Sequence, residues 1–127
     1  MIFLKTKLHV FDNTGITLVK CIHVPEIRSG CATLGCLIVV VPQKKQINKP
    51  VEKLDLVLKN KIFWGIINMS KKQTKRKAGY HICFEKNGVL LLNKDMNLIA
   101  RRITGPVCNE VLRYVFMREL KALKRTV

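Results

Sequence analysis

The sequence predicts a mainly β domain, a small antiparallel barrel with basic loops and one terminal helix. Three observations point there. About six short stretches alternate or cluster β-branched and aromatic residues between dense turn signals, which is strand patterning. Hydrophobic residues make up 48% of the 127 residues, enough for a core and too many for a disordered basic tail. No internal repeat or linker divides the chain, so one domain is expected over residues 1–127, and closing the sheet would remove exposed strand edges.

Taken in order, Ile2, Leu4, Thr6, Leu8 and Val10 alternate with Lys5, Lys7 and His9, as in a half-buried strand. Asp12-Asn13-Thr14-Gly15 is a turn signal. Ile16, Leu18, Lys20, Ile22 and Val24 then alternate with Thr17, Val19, Cys21 and His23, so the two stretches read as a hairpin. Residues 25–35 form a loop with Arg28. Leu37-Ile38-Val39-Val40-Val41 is a core strand ended by Pro42. Residues 43–61 are strongly polar, carry Lys44, Lys45, Lys49, Lys53, Lys59 and Lys61, and read as a basic excursion, a protruding hairpin being one form of it. Residues 62–67 are the next strand. Ser70 to Lys77 holds Lys71, Lys72, Lys75, Arg76 and Lys77, followed by Ala78-Gly79. Tyr80–Phe84 and Val89–Leu92 flank Asn87-Gly88, a hairpin signal. Beyond Gly105-Pro106, Val111, Leu112, Val115, Phe116, Leu120 and Leu123 recur at helical steps among Arg113, Arg118, Lys121 and Lys124. The barrel is expected over about 1–100 and the helical segment over about 106–125.

Charge dominates the functional reading. Lys and Arg number 24 against 8 Asp and Glu, a net of +16. In so small a chain this self-repulsion opposes compaction unless a polyanion is near. Nucleic acid is favoured, since phosphate neutralisation with counterion release is the usual source of affinity. The scattered carboxylates form no acid–base pair, and no Ser/His/Asp set or phosphate-cradling glycine loop occurs, so no enzyme is expected. Cys21, Cys31, Cys36, Cys83 and Cys108 follow no zinc spacing, and reduced, mostly buried thiols with no metal or cofactor are expected. No stretch approaches the roughly 18 apolar residues that cross a bilayer, so no membrane insertion is expected. Met1 to Lys5 lack signal-peptide character, which predicts a chain made where it works or one whose leader is gone.

Leu8-His9-Val10-Phe11-Asp12-Asn13-Thr14-Gly15 followed by Val19-Lys20-Cys21-Ile22-His23-Val24 resembles the opening of the universal large-subunit ribosomal protein L-fourteen family. Ala32-Thr33-Leu34-Gly35, then Phe84 and Asn87 with Leu90-Leu91-Leu92-Asn93, then Arg102-Ile103, Gly105-Pro106-Val107 and Glu110, and finally Phe116-Met117 resemble later family blocks, in family order. Cys36 stands where the family has an acid, Thr104 where it has an aromatic, and Lys75-Arg76-Lys77-Ala78-Gly79 replaces an Arg-Arg-Pro-Asp-Gly loop. The resemblance implies a five-stranded barrel with a projecting basic β-ribbon and short C-terminal helices. It implies a structural constituent of the large subunit at its intersubunit face. Partners would be large-subunit rRNA, a neighbouring large-subunit protein, small-subunit rRNA through a bridge, and a ribosome-silencing factor. Divergence, Lys/Ile/Asn-rich usage and free cysteines resemble a mitochondrial member, with bacterial cytoplasm or plastid as alternatives.

The expected RNA-binding residues are Asn13, Lys20, Arg28, Lys44, Lys45, Lys49, Lys71, Lys72, Lys75, Arg76, Lys77, Arg101, Arg102, Arg113 and Lys121. The 71–77 cluster is dense enough to face adjacent phosphates of folded A-form RNA, where shape and backbone are read. The bland alternative is a solvated charge run. Arg101 and Arg102 suit bidentate phosphate contacts or ion pairs with Glu110 or Glu119. Asn13 and Gly15 suit close approach to RNA or plain turn chemistry. Trp64 reads as core rather than a base-stacking platform, and His9, His23 and His81 as structural. Rival functions are a free RNA-binding module of OB-like type, which needs exposed stacking aromatics, and a membrane-surface protein using the terminal amphipathic helix.

Overall fold

The computed structural model describes residues 1–25, 30–45, 61–100 and 102–113. Five strands close a barrel: β1 (Lys7–Val10), β2 (Ile16–His23), β3 (Leu37–Lys45), β4 (Phe63–Met69) and β7 (Gly88–Leu92), in the order β1-β2-β3-β4-β7. Neighbours are antiparallel except β7 and β1, which run parallel and close the ring. Two short strands, β5 (Thr74–Lys75) and β6 (His81–Ile82), pair as a separate ribbon between β4 and β7. The mainly β class and the five-stranded barrel are as expected. Of the terminal helix, the described residues hold a single 3₁₀ turn, Val111–Arg113; the expected continuation lies outside them.

Cross-strand partners share a face, so the register assigns the interior. Leu8 faces Val19, Cys21 faces Val40, Val40 faces Phe63, and Gly65 faces Leu91. All but Phe63 are essentially without exposed surface, and Phe63 retains 9%. Gly65 leaves room here for its neighbours: a Cβ would sit 2.7 Å from Val89 Cγ2. Ile66, Leu90 and Leu92 lie on the other face yet are equally buried, in one apolar cluster with Val107, Cys108 and Val111. Two-sided burial is why β7 reads as an unbroken apolar run rather than an alternation. Each such side chain contributes about 1.5–3 kcal/mol on burial. Trp64 is half-buried against this cluster, in keeping with the core reading.

The hairpin of β1 and β2 forms, with Gly15 at φ +86° in its turn. Asp12 is buried there. Its Oδ1 accepts from the Thr14 amide and hydroxyl, and its Oδ2 accepts from the Leu91 amide at 3.1 Å, tying the turn to β7. The expected strict alternation in β2 does not hold. Register shifts between Ile16 and Leu18, Leu18 and Val19, and Cys21 and His23 re-aim the chain, so Ile16, Val19, Cys21 and Val24 are the buried residues. Bulges of this kind bend a strand at barrel corners.

Two further expectations are corrected. Pro42 does not end β3, which continues to Lys45; Pro42 lies opposite Val19, at one of the register shifts, where a missing amide donor is tolerated. Asn87-Gly88 is not a hairpin turn: β6 pairs with β5, and Gly88 begins β7 opposite Met69. Gly88 is needed for packing, since a Cβ would lie 2.8 Å from both Met69 Cε and the Phe11 ring. The expectation of mostly buried thiols also fails in part. Cys83 is exposed, Cys31 and Cys36 are intermediate, and of the five only Cys21 and Cys108 are buried.

Candidate nucleic-acid interface

The ribbon gathers the densest part of the basic signal. Lys71, Lys72, Lys75 and Lys77 are all exposed. The backbone of the first two is held by side chains: the Lys71 amide donates to Asn87 Oδ1 at 2.9 Å and the Lys72 amide to Ser70 Oγ at 3.2 Å. At the tip, the Gly79 amide donates to the Arg76 carbonyl and the Arg76 amide to the Tyr80 carbonyl, with Gly79 at φ +91°. A positive φ suits glycine, so Ala78-Gly79 is a turn for the reason the sequence suggests.

Arg76 differs from its neighbours. Its side chain is 11% exposed and faces Glu110, with Nε to Oε1 and Nη2 to Oε2 both 3.1 Å. Its Nη1 donates to the Tyr80 hydroxyl at 3.1 Å. Glu110 is therefore engaged by Arg76, and Arg102 is exposed to solvent.

A second group collects at the β1–β2 turn. The Asn13 amide donates to the Arg102 carbonyl at 3.1 Å, and both side chains are exposed. The β2–β3 register puts Lys45 opposite Ile16 and Lys44 opposite Leu18, so both lysines flank this same turn. Lys20 stands apart, on the outer barrel wall directly opposite Lys7. Like charges facing each other across a strand pair are unfavourable in isolation and are relieved by a bound anion. Arg28, Lys49, Arg101, Lys121 and the side chain of Arg113 lie outside the described residues.

Sequence reasoning missed two cations. Lys7 is one, its pairing with Lys20 set by register. Lys86 is exposed one residue from Asn87, whose side chain holds Lys71. It lies next to Asn87-Gly88, a pair that reads as a hairpin turn from sequence alone. Lys86 also borders a cavity of about 340 Å³ lined by Phe11, Met69, Phe84, Glu85 and Pro106. His9, His23 and His81 are all exposed, and no group of three His, Cys, Asp or Glu fit to hold a metal occurs among the described residues. Nor, among those residues, is any helix long and apolar enough to cross a membrane. The arrangement offers point charges and exposed backbone to an extended polyanion.

The family model for ribosomal protein L14p/L23e matches residues 1–126. A curated relative, the large ribosomal subunit protein uL14m of Schizosaccharomyces pombe, is 37% identical over 112 residues, 87% of each chain.

Proposed function

This chain belongs to the ribosomal protein L14p/L23e family, and we propose that it binds large-subunit rRNA through its ribbon and its β1–β2 turn at the subunit's intersubunit face. It is a structural constituent of the large ribosomal subunit, not an enzyme. Its compartment is the mitochondrion, in line with its likeness to uL14m.

The observation that carries the reading is the ribbon. Lys71, Lys72, Lys75 and Lys77 are exposed on and just before a short β-ribbon outside the barrel, with the Lys71 and Lys72 amides fixed by Asn87 and Ser70. Fixed amides and free ammonium groups suit phosphate contacts that set position without reading sequence. The turn group of Asn13, Lys44, Lys45 and Arg102 supplies a second contact, and Lys7 with Lys20 a third. Two or more separated contacts orient a rigid barrel on a folded RNA. The finer partners belong to the same proposal: a neighbouring large-subunit protein, a bridge to small-subunit rRNA, and a silencing factor docking near the 102–110 segment.

The test is gradient sedimentation of a mitochondrial lysate, with the chain followed by mass spectrometry at low and at about half-molar salt. Retention in the large-subunit peak at both salts is expected, because shape-locked contacts outlast screening of the phosphate term. Migration near the top of the gradient at both salts would overturn the reading.

A further inference from the structure

The ribbon is too short to hold its own direction. Its two strands have two residues each, whereas an isolated two-stranded hairpin is marginal in water even when longer. Something outside it must set where its lysines point. The structure provides a continuous chain of contacts from the barrel wall. Asn68, fully buried in β4, accepts from the Cys108 amide at 3.1 Å and donates to the Pro106 carbonyl, pinning the 106–108 segment. Two residues on, the Glu110 backbone passes so close to Gly35 that a Cβ there would lie 3.0 Å from the Glu110 carbonyl oxygen. Gly35 is itself bonded through its amide to the Ile67 carbonyl of β4. Glu110 is thus anchored twice to the barrel, and its carboxylate takes Arg76 in a fork-to-fork pair. Tyr80, on the far side of the ribbon turn, accepts the third arm of the same guanidinium.

We propose that Arg76 and Glu110 form a strut that aims the ribbon, and that Arg76 is a positioning residue rather than a phosphate ligand. Chain neighbours of an inward-facing residue in extended backbone point away from it. With Arg76 drawn onto Glu110, Lys75 at the end of β5 is therefore turned away from it, and Lys77 follows in the turn that Arg76 opens; both are exposed. The planar fork gives this pair a fixed geometry that a lysine would not reproduce. The inference rests on the RNA-binding reading of the ribbon and adds which residue directs it.

Glu110 makes the test sharp, because charge and geometry predict opposite results. Glu110→Gln raises the net charge by one. If electrostatics alone governed binding, affinity for RNA would rise or stay level. If the strut aims the ribbon, affinity falls. The experiment titrates the full chain against transcribed mitochondrial large-subunit rRNA across a salt series. Wild type, Glu110→Gln, Arg76→Lys and the exchange Arg76→Glu with Glu110→Arg are compared, with thermal melting followed in parallel. Expected are about a tenfold loss for Glu110→Gln and Arg76→Lys, and a log–log salt slope flattened by up to about one unit per lysine displaced. The exchanged pair should recover part of the loss. Arg76→Lys keeps its charge, so a loss there is not one of net charge, and Glu110→Gln leaves the guanidinium intact, so a matching loss there is not a missing Arg76–phosphate contact. Glu110→Gln or Arg76→Lys binding as tightly as wild type, with wild-type melting, would overturn the strut. If a single variant melts too low to assay, the exchanged pair decides: recovered folding without recovered affinity also overturns it. Failure of wild type itself to bind the RNA would instead defeat the functional reading.

Discussion

Cys108 has no exposed surface, and burial, followed by the nearby charge of Glu110, pushes its thiol up to about 12 from an ordinary 9.0. In the unfolded chain the thiol ionises near the ordinary value, while the folded chain keeps its proton. The contribution of the neutral, packed thiol is intact below about pH 9 and is lost as pH climbs from there to about 12, at no more than about 1.4 kcal/mol per unit. Replacing Cys108 by Ala should cost about 1–2 kcal/mol at neutral pH through the void it leaves. That margin should shrink above pH 9 and then reverse. Urea midpoints of the two proteins at pH 7.5, 9 and 10.5 would check it, and a margin that stays constant would discount the buried thiol. Little of this was readable from the sequence, where the five cysteines looked alike. Asp12 and Arg76 were hidden for the same reason. Asp12 read as turn chemistry, but its second oxygen reaches Leu91, 79 positions away. Arg76 read as one more cation in a run, but its partner is 34 positions on. A side chain's role is invisible in sequence when its partner is set by the closure of the barrel.

At the scale of elements, local pattern located most strands and failed on pairing. The β1–β2 hairpin and the cores of β3 and β4 were readable because alternation, β-branched runs and Asp12 to Gly15 all agree. The partner of β7 was not, because Asn-Gly is a strong local signal that tertiary packing overrode. Gly88 fits between Met69 and Phe11, and β7 lies between β4 and β1. The bulges in β2 were equally hidden, since they answer to barrel curvature rather than to residue type. Gly65 makes the packing argument quantitative. Its backbone conformation needs no glycine, yet a Cβ would meet Val89 Cγ2 at 2.7 Å and Val40 Cγ2 at 3.7 Å inside the barrel. Overpacking of a filled core typically costs about 1–3 kcal/mol. Gly65→Val should destabilise by that amount or more, read as a lowered denaturant midpoint with an unchanged slope. Gly65→Val paired with Val89→Ala should recover part of it by returning volume to the same site. No recovery in the pair would mean that the clash at Gly65 is not with Val89.

For the whole molecule, the charge that makes the chain fit a ribosome sets the terms of its stability outside one. A net of +16 on 127 residues repels itself, and among the described residues the structure offsets little of it with ion pairs. Lys7 opposite Lys20 is a local case, with two like charges adjacent across a strand pair. Surface repulsion of this sort is screened over roughly 10 Å at 0.1 M salt and over about 3 Å at 1 M. The isolated chain should therefore melt higher as salt rises from a few millimolar to about 0.3 M, before any salting-out effect enters. A polyanion that binds only the folded state should raise the melting point at low salt by mass action and lose that effect as salt increases. The two curves should converge: salt stabilises the free protein and strips the bound polyanion. Melting with and without heparin as a generic polyanion, over one salt series, checks this directly. A melting point indifferent to salt would mean that the cations are already compensated within the fold. The exposed lysines of the ribbon and the β1–β2 turn would then have no standing need of phosphate.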